Sequence, residues 1–563
     1  MSAPKDILLI HPPFVRDSWE FPLAVPMLKS YLERRSVSVD ALDLNGRYVE
    51  WLLSPAAGQW RRRSTEAMRK TADDPLKMSA LRHYLQLSET SRSQWEDWRG
   101  ESVRQDLLDF LFQAMHAPLS FPEHLGDDLG EYVARHGLMP FGMDDFLRTV
   151  MPPLQRETDY KIIGFSITLP SQWGAAIAIV RMLRAQKTDA FLVLGGATMN
   201  TMTPEAQEKI MRMVPVDGIV RFAGEKPLLE LVRILKSRGD LKCVPALIYR
   251  SGKNIVGNDP RPVEPAEPDP PPDFSDFSVS PLYSEDRYVP LLYARGCSWG
   301  RCVFCSYPRQ WAGAYFRPVG DVVRDLKHHH DRYGQRKFKL MGDEMPPRYA
   351  KDLAEALREH SMGVQWWTFA RSSRGWTAEL LEKVAASGGA EIALGVESFD
   401  GRVLKTMNKG YSAETAERNI GEMGELGIKT SVDLIWDFPT TTYEEAKHTW
   451  SVAKRLAPLV RAYNCFTFGL EPHSEMGRHP ERFGIEFVTI KKFLAHQACR
   501  TSQEFLGGLG IFLSENTGGV IPTAVPGLVL FPEIRYWVDK RGMTPVEKRE
   551  MASLWMELAV SKG

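Results

Sequence analysis

Apolar and polar positions fall into two runs in which short apolar stretches alternate with amphipathic ones. In the first run, Ile7–His11 is a short apolar strand ending at Pro12-Pro13. Leu23–Leu32 carries helical periodicity, and Ser38–Leu44 is again strand-like. From about Gly46 to Thr158 the alternation stops. Trp51, Trp60, Trp95 and Trp98 recur there among Arg, Glu and Leu at helical spacing, which predicts a helical insertion. Strands then return at Lys161–Ser166, Phe191–Leu194 and Gly218–Phe222, with helical patterns over Ala175–Ala185, Pro204–Met213 and Leu228–Leu235. Five strands alternating with helices predict an α/β fold with a doubly wound parallel sheet. Sheets of this kind bind ligands at the carboxyl ends of their strands. Here those ends read His11-Pro12-Pro13, Ser166-Ile167-Thr168, Gly195-Gly196-Ala197-Thr198 and Ala223-Gly224-Glu225. Small residues let a large ligand approach the backbone, although the same sequences also make plain βα turns.

Ala246–Asn258 predicts a hairpin turning at Ser251-Gly252. Seven prolines between Pro260 and Pro272 then make a stiff, donor-poor linker and the clearest domain boundary. The second run places strands at Pro290–Ala294, Lys337–Met341, Gln365–Phe369, Ile392–Val396, Thr430–Trp436 and Ala462–Phe468. Helical patterns such as Val322–Tyr333 and Ala378–Ala386 lie between them. Six βα units in about 180 residues suit a partial TIM-type barrel with its site at the carboxyl ends of the strands. The expected layout is residues 1–240 as one domain with its insertion at about 46–158, then 241–284 as hairpin and linker. Residues 285–470 form the barrel, and 471–563 a mixed C-terminal region.

Composition narrows the classes. The 563 residues carry 71 basic and 71 acidic side chains, a formal net charge of zero. The chain therefore has no bulk field for nucleic acid or anionic lipid. Hydrophobic content of 43% and charged content of 25% are ordinary globular values. No stretch approaches the ~18 apolar residues of a membrane span. Ile7–Ile10 is too short for a signal-peptide core, and six cysteines are too few for a secreted disulfide scaffold. A cytoplasmic protein is expected.

Three cysteines cluster. Cys297, Cys302 and Cys305 stand in GCSWGRCVFC (296–305) after the first strand of the second run, whereas Cys243, Cys465 and Cys499 are isolated. Thiolates at C-x4-C-x2-C spacing in a loop can converge on one metal centre. Three are too few to close a tetrahedral zinc site or to ligate every iron of a four-iron cluster, so one coordination position stays open for chemistry. The alternatives are three buried structural cysteines or a zinc site completed from elsewhere. Gly296 before the group, Phe304 before its last member and the place at a barrel mouth weigh against both.

On these residues the chain resembles the radical SAM superfamily, whose usual signature is C-x3-C-x-aromatic-C after the first barrel strand. Phe304 supplies the aromatic, and the first interval is one residue longer. The resemblance implies a 4Fe–4S cluster on Cys297, Cys302 and Cys305, with Phe304 beside S-adenosylmethionine (SAM). Further along, KLMGDE (Lys339–Glu344) is implied to meet the SAM amino group through Gly342, Asp343 and Glu344. By the same resemblance, Arg371 meets the methionine carboxylate, and Glu397 and Ser398 of LGVES meet the ribose. MNKGY (Met407–Tyr411) and IWDFPTTTYEEA (Ile435–Ala446) look like later family segments, with Asp437 where glycine is usual. The match covers Val289 to about Phe468.

LLIHPPF, FPLAVPMLKSYLERR, IGFSITLPSQ, LVLGGAT and FAGEKP, within about Asp6–Leu235, are similar to the cobalamin-binding domain that precedes many radical SAM cores. The likeness implies cobalamin against Pro12, Ser166, Gly195, Gly196, Gly224 and Glu225, its nucleotide tail along Ser166 and Gly195-Gly196. There is no D-x-H-x-x-G motif, which implies a base-off cofactor without a protein histidine on cobalt. The activity implied is methylation of an unactivated carbon on a peptide or natural product. An electron from the reduced cluster, delivered by a donor such as flavodoxin or ferredoxin, would generate a 5′-deoxyadenosyl radical, and methylcobalamin would supply the methyl group. Rival readings are a rearrangement or cyclisation enzyme with the same cofactors, and a non-enzymatic cobalamin sensor. A methylthiotransferase would need a second cysteine cluster. The helical insertion and the region after Glu471 are expected to shape the substrate pocket, and the barrel mouth to face the first sheet's strand ends. His328-His329-His330 falls in a helical pattern where neighbours point about 100° apart and cannot chelate one ion. Arg61-Arg62-Arg63 reads as a solvated helix face.

Overall fold

A computed structural model of the chain describes residues 5–13, 22–53, 146–149, 160–169, 172–259, 269–277, 288–307, 314–466, 468–471, 473–488 and 536–560. Most of the predicted insertion, Arg61-Arg62-Arg63, Cys499 and most of the C-terminal region lie outside these residues. The insertion's two described ends meet: Tyr48 and Trp51 pack against Phe146 with ring centroids 5.1 and 5.8 Å apart.

The first sheet has the order β2-β1-β3-β4-β5-β6-β7. Its parallel strands are β1 (Lys5–His11), β2 (Val39–Asp43), β3 (Tyr160–Ser166), β4 (Phe191–Gly195) and β5 (Gly218–Val220). Helices α1 (Ala24–Glu33), α2 (Leu44–Leu53), α3 (Trp173–Ala185), α4 (Pro204–Met213) and α5 (Glu225–Ser237) complete the alternation. Ile7, Ile10, Ile162 and Leu192 are fully buried. Continuous apolar runs suit parallel strands covered on both faces, and each such side chain contributes roughly 1.5–3 kcal/mol. One boundary differs from expectation. The hairpin, β6 (Leu247–Ser251) and β7 (Asn254–Gly257), does not lead out of the domain; β6 pairs antiparallel with β5 and extends this sheet. Leu247, Ile248 and Tyr249 are buried there, because β5 is three residues long and exposes an edge that needs covering.

The second sheet follows the predicted barrel, in the order β15-β14-β13-β12-β11-β8 with all neighbours parallel. Its strands are β8 (Val289–Leu292), β11 (Lys337–Met341), β12 (Gln365–Ala370), β13 (Gly389–Glu397), β14 (Lys429–Ile435) and β15 (Ala462–Phe466). Between β8 and β11, β9 (Ala294–Arg295) pairs with β10 (Tyr315–Phe316). Six strands leave the barrel open. The outer helices are α6 (Val319–Tyr333), α7 (Pro347–His360), α8 (Ala378–Ala386), α9 (Gly401–Met407), α10 (Ala413–Glu425) and α11 (Tyr443–Leu456). Asp400 caps α9 by accepting from the backbone N–H groups of Arg402 and Val403, and a Thr442–Glu445 capping box starts α11. The histidine run lies in α6, where His329 is buried and stacks on Tyr333.

The chain's end returns to the barrel. Within β16 (Ile485–Val488), β17 (Tyr536–Asp539) and α12 (Pro545–Val560), Met551 and Trp555 enter the barrel core, and Trp450 Nε1 donates to the Leu554 carbonyl at 2.8 Å. Asp437, placed where glycine was expected, has its reason here. Its Oδ1 accepts from the Phe468 N–H at 2.6 Å and its Oδ2 lies 3.9 Å from Lys548 Nζ, so it ties the end of β14 to β15 and α12.

The segment 269–277 joins the two sheets. Phe274 packs into the barrel core and Phe277 into the first-sheet core. Lys29 on α1 pairs with Asp273 at 2.9 Å and Asp276 at 2.5 Å, and Arg324 on α6 donates to the Asp269 carbonyl at 2.7 Å.

Candidate active site at the barrel mouth

The site is built by turns at the carboxyl ends of both sheets. In the barrel, the loop after β9 carries Cys297, Cys302 and Cys305, all partly buried thiols. Burial raises the pKa of each, that of Cys305 to about 12. Such thiols become thiolates by binding metal, which releases the proton. Among the described residues no three His, Cys, Asp or Glu side chains lie close enough to share a single ion. A zinc ion needs its ligands about 2.0–2.3 Å from one point. Separate thiolates from one short loop can each take one iron of a polynuclear cluster.

Strand-end residues brace that loop. The Asp343 carboxylate accepts the Gly296 N–H at 2.7 Å, and burial raises its pKa to about 6. Glu344 accepts from the Ser298 hydroxyl and lies 3.9 Å from Cys297 Sγ. The expected SAM-facing carboxylates are therefore partly committed to holding the cysteine loop. At Gly342, an added Cβ would come within 2.6 Å of the Tyr293 ring, so packing alone demands glycine. Phe304 packs edge-on against Phe438 at 6.1 Å. Arg371, at the end of β12, donates through Nη1 to the carbonyls of Lys409 and Ser372, while its Nε is buried with no hydrogen-bond partner among the described residues.

Two expectations for the next strand end separate. Glu397 takes positive φ (68°), which a non-glycine residue rarely adopts, and pairs with Lys409 at 3.2 Å. Ser398 is buried; its hydroxyl meets Thr449 Oγ1 at 3.0 Å and accepts from the Asp400 N–H. Thus Ser398 closes the turn into α9, its hydroxyl engaged by Thr449 and by the Asp400 N–H.

Sequence reasoning gave no role to Lys409 or Asp433. Lys409 is 4% exposed. Burial alone would lower its pKa, yet its surroundings, Tyr411, Glu397 and Cys302, hold it above the lysine range. Its ammonium lies 5.8 Å from the Phe304 ring, a buried cation beside the cysteine loop. Asp433, in β14, accepts from Asn464 Nδ2 at 2.8 Å, and burial raises its pKa to about 6. The signal for Asp433 was a lone carboxylate inside the apolar strand TSVDLI.

In the first sheet, the β4 turn approaches the β3 turn backbone to backbone. Gly196 has φ 101°, and a Cβ there would lie 2.4 Å from the Ile167 carbonyl oxygen; at Gly195 the nearest atom would be 3.5 Å away. Hence Gly196 is required by the chain itself, as a tight βα turn requires, whatever lies beyond it. Gln172 joins two turns, donating to the Pro12 carbonyl at 2.6 Å and accepting from the N–H groups of Thr168 and Leu169. Ser166 is buried, and Gly224 packs beneath Leu28. Glu225, expected against a ligand, pairs through Oε1 with Arg295, two residues before Cys297. This ion pair, with side chains 6% and 17% exposed, brings the first sheet's strand ends to the base of the cysteine loop. Among the described residues, His11 Nδ1, Thr198 Oγ1 and Glu225 Oε2 are buried near these turns without a hydrogen-bond partner.

Residues 291–451 match the family model for the radical SAM superfamily. Residues 291–451 thus form a radical SAM domain. Among curated proteins, the chain is 26% identical over 313 residues to an uncharacterized methyltransferase of Pyrococcus horikoshii, covering 54% of this chain and 65% of that one. It is also 26% identical over 354 residues to the anaerobic magnesium-protoporphyrin IX monomethyl ester cyclase of Rubrivivax gelatinosus, covering 58% and 61%. The chain thus spans just under two thirds of the length of each of these relatives. Among solved structures, it superposes with a TM-score of 0.57 and 18% identity on the radical SAM methyltransferase TsrM from Kitasatospora setae, solved with tryptophan and a SAM analogue. The match covers 86% of this chain and 78% of that one, and shows a shared fold.

Proposed function

We propose that the protein is a cobalamin-dependent radical SAM methyltransferase acting on a carbon of a small-molecule or peptide substrate, with an external one-electron donor such as flavodoxin or ferredoxin. The observation that carries this reading is the Arg295–Glu225 pair, which sets the cysteine loop against the carboxyl ends of the first sheet. Cys297, Cys302 and Cys305 would hold a 4Fe–4S cluster, their donor set fitting a site one ligand short of closure. SAM would lie across the same mouth, with Phe304, Gly342, Asp343, Glu344 and Glu397 around it and the cations of Arg371 and Lys409 near its carboxylate. Cobalamin would sit on the turns at Pro12, Ser166, Gly195, Gly196, Gly224 and Glu225, where the unpartnered His11, Thr198 and Glu225 atoms can meet its amide rim. The absence of a D-x-H-x-x-G motif supports a base-off cofactor. When bound, the cluster supplies an electron to SAM and cobalamin supplies a transferable methyl group.

The chain's own contribution is placement. Asp343 and Glu344 fix the cysteine loop, Gly196 lets two strand-end turns meet, and Arg295–Glu225 registers the two sheets. Similarity to the Rubrivivax cyclase favours one second reading, a cyclisation on the same cofactors without methyl transfer. Anaerobic turnover with methyl-labelled SAM and candidate substrates, read by mass spectrometry, decides between them. Label in the product supports the methyltransferase; 5′-deoxyadenosine with an unlabelled, rearranged product refutes it.

A further inference from the structure

The chain departs from the usual cysteine spacing by one residue between Cys297 and Cys302, and Trp299 lies in that interval. Its indole leaves the loop to meet the segment after α9. Trp299 Nε1 donates to the Asn408 carbonyl at 2.8 Å, and the ring covers Gly410. There φ is +75°, and a Cβ would come within 2.2 Å of ring atoms, so both backbone and ring demand glycine. Asn408 Nδ2 donates to the Arg301 carbonyl at 2.9 Å, and the Val303 N–H donates to the Met407 carbonyl at 3.1 Å. One turn thus grips the cysteine loop in three places. The Arg371 guanidinium carbon lies 4.6 Å from the Trp299 ring centroid, while Arg371 Nη1 holds the Lys409 carbonyl at 3.1 Å.

We propose that Trp299 is a positioning residue that fixes the plane of Arg371 toward the methionine carboxylate of SAM, coupling the cysteine loop to SAM binding. The inference rests on the reading that cluster and SAM share this mouth. A guanidinium grips a carboxylate through a planar fork, so its orientation decides whether that grip forms. An aromatic face fixes the plane by cation–π attraction, leaving the fork's edge for the ligand.

The test uses the full-length, cluster-reconstituted protein in five forms: wild type, Trp299→Phe, Trp299→Leu, Arg371→Met and the Trp299→Leu/Arg371→Met double variant. Iron content, equilibrium SAM binding and the SAM-induced shift of the reduced cluster's electron paramagnetic resonance (EPR) signal are measured for each. Trp299→Phe keeps an aromatic face and should bind SAM within about twofold of wild type. Trp299→Leu should load iron normally but bind SAM about tenfold more weakly and lose the spectral shift. The double variant should bind no more weakly than Arg371→Met alone, because the tryptophan acts through the arginine. If Trp299→Leu cannot load iron, Gly410→Ala displaces the ring from the other side and should show the same SAM defect with iron retained. Unchanged SAM affinity, or equal weakening by Trp299→Leu in the wild-type and Arg371→Met backgrounds, would overturn the proposal. A cluster-loaded wild type with these uncoupled variants overturns the inference alone; a wild type that holds no cluster overturns the underlying reading as well.

Discussion

Replacing Gly196 with alanine should damage the fold, whereas the same change at Gly195 should not. At Gly196 φ is 101° and ψ is 176°, a region essentially confined to glycine that costs a side-chain-bearing residue about 1–3 kcal/mol. The new Cβ would also sit 2.4 Å from the oxygen and 2.7 Å from the nitrogen of Ile167. Both groups are engaged: the Ile167 N–H donates to the Gly195 carbonyl at 2.8 Å, and its carbonyl accepts from the Thr198 N–H at 3.1 Å. Moving Ile167 aside weakens two hydrogen bonds, each worth about 1 kcal/mol. Strain and lost bonds together put Gly196→Ala at roughly 3–5 kcal/mol of destabilisation. Gly195→Ala meets only ordinary contact at 3.5 Å and should cost under about 1 kcal/mol. Urea unfolding followed by circular dichroism, without added cofactor, measures both. Equal stability losses, or a Gly196→Ala protein as stable as wild type, would refute the claim that the chain's own backbone demands this glycine.

Other outcomes follow from the same geometry. Alanine at Cys297, Cys302 or Cys305 should abolish the cluster's absorbance after anaerobic reconstitution, whereas alanine at Cys243 or Cys465 should leave it intact. Glu225→Gln removes the counter-charge of the mostly buried Arg295 and should cost roughly 2–3 kcal/mol, below the value for a fully buried pair because Arg295 keeps some solvent; denaturant unfolding reads this. Asp437→Asn should lower hydrogen-exchange protection in Pro545–Val560 by about 1–2 kcal/mol as the link to Lys548 is lost. Asp433, with its pKa raised to about 6, binds a proton more tightly folded than unfolded. Its ionisation therefore lowers stability as pH rises through about 4 to 6, and the loss persists above. Asp433→Asn should stabilise the cofactor-free protein by roughly 1–2 kcal/mol near pH 7.5 and by much less near pH 4, as thermal melts at both values will show.

The parallel sheets were legible because their strands are short apolar runs at regular spacing: all six barrel strands lie where the pattern puts them. The hairpin's place was not legible, since Ala246–Asn258 reads alike whether it pairs with β5 or stands alone; only the exposed edge of β5 decides. Cys297, Cys302 and Cys305 stood out through local spacing. Lys409 and Trp299 did not, because their meaning depends on a turn a hundred residues from the cysteine loop. Glu225 was placed correctly at a strand end, but its Arg295 partner comes from the other domain, which no local pattern reveals. Asp437 stands where the resemblance led one to expect glycine, and its partners Phe468 and Lys548 are likewise distant in sequence.

On the proposed function, the carboxyl ends of the two sheets hold cluster and cobalamin at one shared mouth. The most direct test of that placement is EPR of the protein loaded with both cofactors, with the cluster reduced and cobalt as Co(II). Magnetic interaction between the two spins is expected, seen as broadening and faster relaxation of each signal compared with singly loaded protein, with no nitrogen splitting on cobalt from a protein histidine. Two signals that superimpose on those of the singly loaded forms, with unchanged relaxation, would place the cofactors apart and contradict it.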